Sequence, residues 1–125
     1  MQIQRSARRL AALAIAAGTI TVATILPAAA APADNQVGSG SCVAIEKFSF
    51  WGGHDHITND PIVNDASDPY GCYFSIEDLS GNEVEPGSGS GAELPWVEED
   101  GRTLRACVYL YRYGTVKSKL CGIAY

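Results

Sequence analysis

The sequence predicts an all-β fold, a small disulfide-stabilised sandwich or open barrel of about six short antiparallel strands ending in a C-terminal hairpin. Three observations carry this. Beyond the first thirty residues, Gly, Pro, Asn and Asp interrupt the chain about every ten positions, and no segment repeats apolar residues at spacings of three and four. All four cysteines, Cys42, Cys72, Cys107 and Cys121, fall in this part, an even number in a short stretch. Residues 102–125 alternate apolar and polar side chains about a central Tyr113-Gly114.

The N-terminal segment sets the compartment. Arg5, Arg8 and Arg9 precede an uncharged run from Leu10 to Leu26, rich in Ala, Ile, Leu and Val and broken by Pro27. Basic, then apolar, then small residues is the order of a secretory signal peptide, with small-x-small cleavage sites after Ala30 or after Ala33. A membrane anchor would give the Ala-rich stretch no purpose. Residues 1–30 are therefore assigned as a signal peptide, and the mature chain is expected outside the cell and free of the membrane. Its 95 residues lie near the lower limit for a self-sufficient core. Disulfides formed in an oxidising compartment supply the missing stability.

Removing the signal also changes the charge. Without Arg5, Arg8 and Arg9, six basic residues face fourteen acidic ones, a net charge of −8. Nucleic acid is excluded as an expected partner. Residues 34–100 hold all the acids and only Lys47, whereas 101–125 hold five cations and no acid. The two parts are expected to attract each other or different partners.

Each element follows from its residues. Positions 31–41, Ala-Pro-Ala-Asp-Asn-Gln-Val-Gly-Ser-Gly-Ser, read as a flexible arm, and 42–125 as a single extracellular β-domain. The first strand runs from Cys42 to Phe50 and stops at the turn Trp51-Gly52-Gly53. Short extended pieces follow at Ile57-Thr58 and Ile62-Val63, separated by Asn59-Asp60-Pro61. A strand from Tyr70 to Glu77 ends at Ser80-Gly81-Asn82. Residues 86–91, Pro-Gly-Ser-Gly-Ser-Gly, read as a flexible loop with no packed side chain. Glu93 to Val97 reads as a short edge strand because Pro95 cannot donate to a ladder.

The hairpin, Arg102 to Arg112 and Thr115 to Tyr125, is the clearest element. A register in which facing residue numbers sum to 228 sets Leu104, Ala106, Val108 and Leu110 against Ala124, Gly122, Leu120 and Ser118 as the core face. The other face then pairs Cys107 with Cys121, Tyr109 with Lys119 and Tyr111 with Lys117. Four cysteines permit three connectivities. This register selects Cys107 to Cys121 and leaves Cys42 for Cys72.

Candidate chemistry is sparse. His54 and His56 flank Asp55 and project to one side of a strand, as two metal ligands would, with Asp60, Asp65 or Asp68 as a third. No defined third ligand accompanies them, so they are assigned to a solvated loop, and no metal or cofactor is expected. Asp60, Asn64, Asp65 and Asp68 lack the calcium-loop spacing and read as turn formers. No nucleophile motif surrounds any serine, and no carboxylate pair is placed across a cleft, so the chain is expected not to be an enzyme. The cationic and aromatic face of the hairpin, Arg105, Tyr109, Tyr111, Arg112, Lys117 and Lys119, is the candidate partner-binding surface, since Tyr and Arg concentrate where proteins bind proteins. The competing expectation is that it packs on the acidic half of the same domain.

The Ala-rich export signal, the order of the four cysteines, and the ending from Cys107-Val108-Tyr109 to Cys121-Gly122 resemble small secreted proteins of actinobacteria. Spore-associated proteins and the adaptor subunits of umbrella toxin particles are two such groups. The adaptor resemblance implies a non-enzymatic β-domain joining other secreted proteins, with one contact made by an extended N-terminal arm. The chain is also similar in size and two-disulfide architecture to secreted inhibitors of amylases and proteases. It lacks the Trp-Arg-Tyr tripeptide of the amylase inhibitors, because Gly52 follows Trp51. The function expected is a secreted protein-binding module, an adaptor or structural component of an extracellular assembly. A hydrolase inhibitor using residues 85–95 is the alternative, and a small secreted metal-binding protein or enzyme using His54 and His56 is the third.

Overall fold

Alternation about short turns gives eight strands in the computed structural model, which describes residues 30–125. They are β1 Asn35–Ser39, β2 Cys42–Trp51, β3 His54–Asn64, β4 Tyr70–Asp78, β5 Glu83–Ser88, β6 Val97–Glu98, β7 Leu104–Arg112 and β8 Thr115–Cys121. All pair antiparallel, in two four-stranded sheets of order β1-β2-β3-β6 and β5-β4-β7-β8. The fold is the small disulfide-stabilised all-β sandwich that the sequence predicts, and it is not a closed barrel. The segment assigned from sequence as a signal peptide, apart from Ala30, lies outside the described residues.

Cys42–Cys72 ties β2 to β4 and so joins the two sheets, while Cys107–Cys121 crosslinks β7 to β8. Apolar side chains between the sheets form two clusters. Val37, Cys42, Ala44, Cys72, Phe74 and Val108 fill one, and Ile57, Ile76, Leu94, Val97 and Leu104 fill the other. Buried polar groups stitch the sheets together. Asn59 Nδ2 donates to the carbonyls of Ser75 and Cys107 at 2.9 and 3.0 Å. Glu46, wholly buried, accepts from the Ala106 N–H at 2.7 Å and from Asn35 Nδ2 at 2.9 Å. Burial raises the Glu46 carboxyl above its ordinary range, and the hydrogen bonds from Ala106 and Asn35 oppose that rise.

Several expectations are corrected. The segment read as a flexible arm contains β1, which turns back through Gly40-Ser41 onto β2 and buries Val37 in the core. The two short pieces at 57–58 and 62–63 belong to one strand, β3, which carries Pro61 at a bulge. Val43 faces Val63 and Ala44 faces Pro61, so Ile62 is extra, and a bulge tolerates the missing proline N–H. The Pro-Gly-Ser stretch at 86–88 is part of β5, where Gly87 makes room for the Tyr73 ring; a Cβ there would lie 2.4 Å from it. The edge strand is Val97–Glu98, whereas Leu94 packs in the core and its carbonyl accepts from Thr58 Oγ1 at 2.6 Å.

The hairpin register holds from Cys107 opposite Cys121 to Leu110 opposite Ser118. A slip between Leu110 and Tyr111 then sets Tyr111 against Val116, leaving Lys117 in a bulge. At the other end Leu104 exchanges both backbone hydrogen bonds with Tyr125, not with Ala124. On the β7 side of the expected core face Leu104, Ala106 and Val108 are buried and Leu110 is half-buried, whereas on the β8 side none of the four is buried. Leu120 is 47% exposed, because a groove of about 280 Å³ separates it from the turn between β1 and β2.

Candidate functional site

Alternation along β4 sends Cys72, Phe74 and Ile76 to the core and Tyr73, Ser75 and Glu77 to the outer face. There Tyr73 faces Tyr109, and Glu77 faces Arg105, both of β7. Tyr73, Tyr109 and Tyr111 form a continuous cluster, with ring centroids 5.8 Å apart for Tyr73 and Tyr109 and 5.9 Å for Tyr109 and Tyr111. The Tyr73 hydroxyl donates to Glu83 Oε1 at 2.7 Å, and burial followed by that bond pushes its pKa up to about 12. Lys119 Nζ sits 5.2 Å from the Tyr109 ring centroid, a cation over an aromatic face.

Glu77 organises this surface from beneath. Its Oε1 accepts from Lys119 Nζ at 2.7 Å, and its Oε2 accepts from Ser75 Oγ at 2.5 Å and from the Tyr109 hydroxyl. Burial pushes the carboxyl up, but the hydrogen bonds from Lys119, Ser75 and Tyr109 outweigh it and hold the pKa below the ordinary value.

Of the residues singled out in the sequence, Arg105, Tyr109, Tyr111 and Lys119 share this face. Lys117 is displaced into the bulge. Arg112 lies near the hairpin tip, its guanidinium 5.6 Å from the Tyr70 ring and 5.5 Å from the Tyr113 ring. Tyr73 and Glu77 were missed. Their signal was present, since they occupy the parity of β4 opposite to Cys72, Phe74 and Ile76. Glu77 also answers the question of self-packing in part: the acid beneath Tyr109 and Lys119 comes from the neighbouring strand of the same sheet.

The other sheet carries a second constellation at the hairpin between β2 and β3. Trp51 stacks on His56 with ring centroids 3.4 Å apart, and Trp96 meets Trp51 edge-on at 5.4 Å. His54 Nδ1 lies 2.9 Å from Asp100 Oδ1, and His56 Nε2 lies 3.5 Å from Glu98 Oε1. None of the acids proposed from sequence joins the histidines. Asp60 pairs with Lys47 at 2.5 Å, and Asp65 and Asp68 follow the far end of β3. Glu98 and Asp100 take that place because β6 pairs with β3, a contact no local spacing announces.

Beside them a cleft of about 340 Å³ is lined by Phe50, Asp55, Glu99, Arg102 and Tyr125, among others. Glu99 is buried there, and burial, reinforced by Asp55 and Glu46, raises its pKa to about 7. The Tyr125 hydroxyl donates to Asp55 Oδ2 at 3.2 Å.

Fold and surface define a small disulfide-bonded β-sandwich with an ordered tyrosine face on one sheet and a histidine and carboxylate group on the other. Comparison with known proteins finds no matching family model, no matching curated protein and no matching solved structure.

Proposed function

We propose that the chain is a secreted, non-enzymatic protein-binding module, an adaptor or structural component of an extracellular assembly, whose partner seats on the tyrosine face of β4, β7 and β8. One observation carries this reading: Tyr73, Tyr109 and Tyr111 pack on one another, and the hydroxyls of Tyr109 and Tyr73 are anchored by Glu77 and Glu83. Side chains ordered before contact lose little rotamer entropy on binding. Arg105 beside them favours an acidic group on the partner, whereas the charge of Lys119 is already paired with Glu77. The two disulfides fit a protein that works in an oxidising, extracellular setting.

The test uses disulfide-intact residues 31–125 as bait in culture supernatant. A stoichiometric partner is expected, and Tyr111→Ala is expected to weaken its binding at least about tenfold with the unfolding midpoint little changed. Absence of any partner, or unchanged affinity in both Tyr111→Ala and Arg105→Ala, rejects the proposal.

A hydrolase inhibitor is the second reading, favoured by the segment between β5 and β6. It is pinned by Asn64 Nδ2 donating to the Gly89 carbonyl at 3.0 Å and by the Thr58 to Leu94 bond, while Glu93, Pro95 and Trp96 remain exposed. Loss of amylase or protease activity on adding the domain would favour this reading over the adaptor.

A further inference from the structure

Three donors, His54, Glu98 and Asp100, converge on the outer face of β3 and β6, away from the tyrosine face, with His56 beside Glu98. Residues two apart on a strand share a face, so His54 and His56 point the same way, as do Glu98 and Asp100. Antiparallel pairing sets His56 across from Glu98. The bond from the Glu99 N–H to the Asp55 carbonyl extends the ladder and brings Asp100 beside His54. Ligand atoms of His54, Glu98 and Asp100 all lie within 4.8 Å of one another. Tetrahedral coordination at about 2.1 Å sets ligand atoms about 3.4 Å apart, a closure that small rotations of these three exposed side chains provide.

His56 supplies an independent observation. Its side chain is only 5% exposed, and its ring is stacked on Trp51. Its Nδ1 lies 2.9 Å from the His54 carbonyl, which can only accept, so Nδ1 carries the proton. The other ring nitrogen, Nε2, faces the Glu98 carboxylate at 3.5 Å. A histidine Nδ1–H donating to a backbone carbonyl is the arrangement that orients metal-ligating imidazoles.

We propose that His54, Glu98 and Asp100, with His56 beside Glu98, form a binding site for a divalent transition-metal ion of the zinc class. Mixed imidazole and carboxylate donors select such an ion over calcium or magnesium, which prefer oxygen alone. An ion here ties β3 to β6, the shortest strand, and lies against both tryptophans of the chain. The site is independent of the tyrosine face, so either proposal can fail alone.

Calorimetric titration of the disulfide-intact domain with zinc chloride tests it, with tryptophan fluorescence and the two histidine NMR signals followed in parallel. One saturably bound ion per domain is expected, with a fluorescence change, shifts of both histidine signals and a raised unfolding midpoint. His54→Ala and Glu98→Gln are each expected to weaken binding at least about tenfold and to abolish the rise in midpoint. Asp65→Asn with Asp68→Asn, at the far end of β3, is expected to change nothing. Absence of saturable binding, indifference to His54→Ala and Glu98→Gln, or equal competition by calcium would each overturn the assignment.

Discussion

Lys119→Met is expected to destabilise the domain by about 2 kcal/mol, more than its place on an edge strand suggests. Exposed ion pairs contribute about 0–1 kcal/mol, whereas removing one partner of a buried pair costs about 3–5 kcal/mol. The pair with Glu77 lies between these limits, because Glu77 is wholly buried while the Lys119 side chain is 34% exposed. Without the ammonium, the carboxylate retains only Ser75 and Tyr109 as hydrogen-bond donors. Glu77→Gln keeps the shape and removes the charge, so the double variant is expected to lose less than the sum of the singles, with a coupling of about 1–2 kcal/mol. Urea unfolding with both disulfides intact, followed by tryptophan fluorescence, measures all four proteins. The sign with pH is fixed by the lowered pKa of Glu77. Its contribution is complete above the unfolded value of 4.5 and is lost as pH falls through the lower folded value. The advantage of the parent over Glu77→Gln is therefore expected to shrink below pH 4.5. A coupling near zero, or an advantage undiminished at about pH 2, would refute the buried-pair account.

Three further outcomes follow from the packing. Replacing Cys42 and Cys72 by Ala reopens a 30-residue loop and is expected to cost roughly 3.5 kcal/mol, against about 3 kcal/mol for Cys107 and Cys121 with a separation of 14. Urea midpoints of the two paired variants check both values. Gly87→Ala is expected to destabilise by about 1–3 kcal/mol, because its Cβ would meet the Tyr73 ring; Gly87→Ala in a Tyr73→Ala background should recover most of that loss. Asn59→Ala removes two buried hydrogen bonds between the sheets and is expected to cost about 2–3 kcal/mol, read as a lowered thermal midpoint.

The parts of the fold legible in the sequence are those fixed by near neighbours. The hairpin register follows from alternation across one turn, and it holds over the stretch from Cys107 to Leu110. Residues 35–39 and 83–88 escaped because Gly, Ser and Pro carry no apolar alternation, while both strands are held by a partner strand that supplies the ladder. β3 escaped because Pro61 reads as a break until a bulge in its pairing with β2 accommodates it. The same logic separates the site residues. Tyr109 and Lys119 face each other across one hairpin and were legible together. Glu77 reaches them through a pairing of β4 with β7 some thirty positions away in sequence, which no local pattern encodes.

The segregated charge of the sequence takes on a different meaning in three dimensions. Among the described residues, the cations of β7 and β8 make one buried salt bridge to the acidic part of the chain, through Lys119 and Glu77, and that bridge lies within a single sheet. Most of the remaining acids therefore stay uncompensated by these cations, and Glu98 and Asp100 are held against His54 and His56 on the opposite sheet. A sequence arranged only for self-attraction would have spread its ion pairs across the interface between the sheets. That interface instead joins through Asn59, Glu46 and the Cys42–Cys72 disulfide. The charged groups thus lie on the two outer faces and not between the sheets: cations and tyrosines on one sheet, carboxylates and imidazoles on the other.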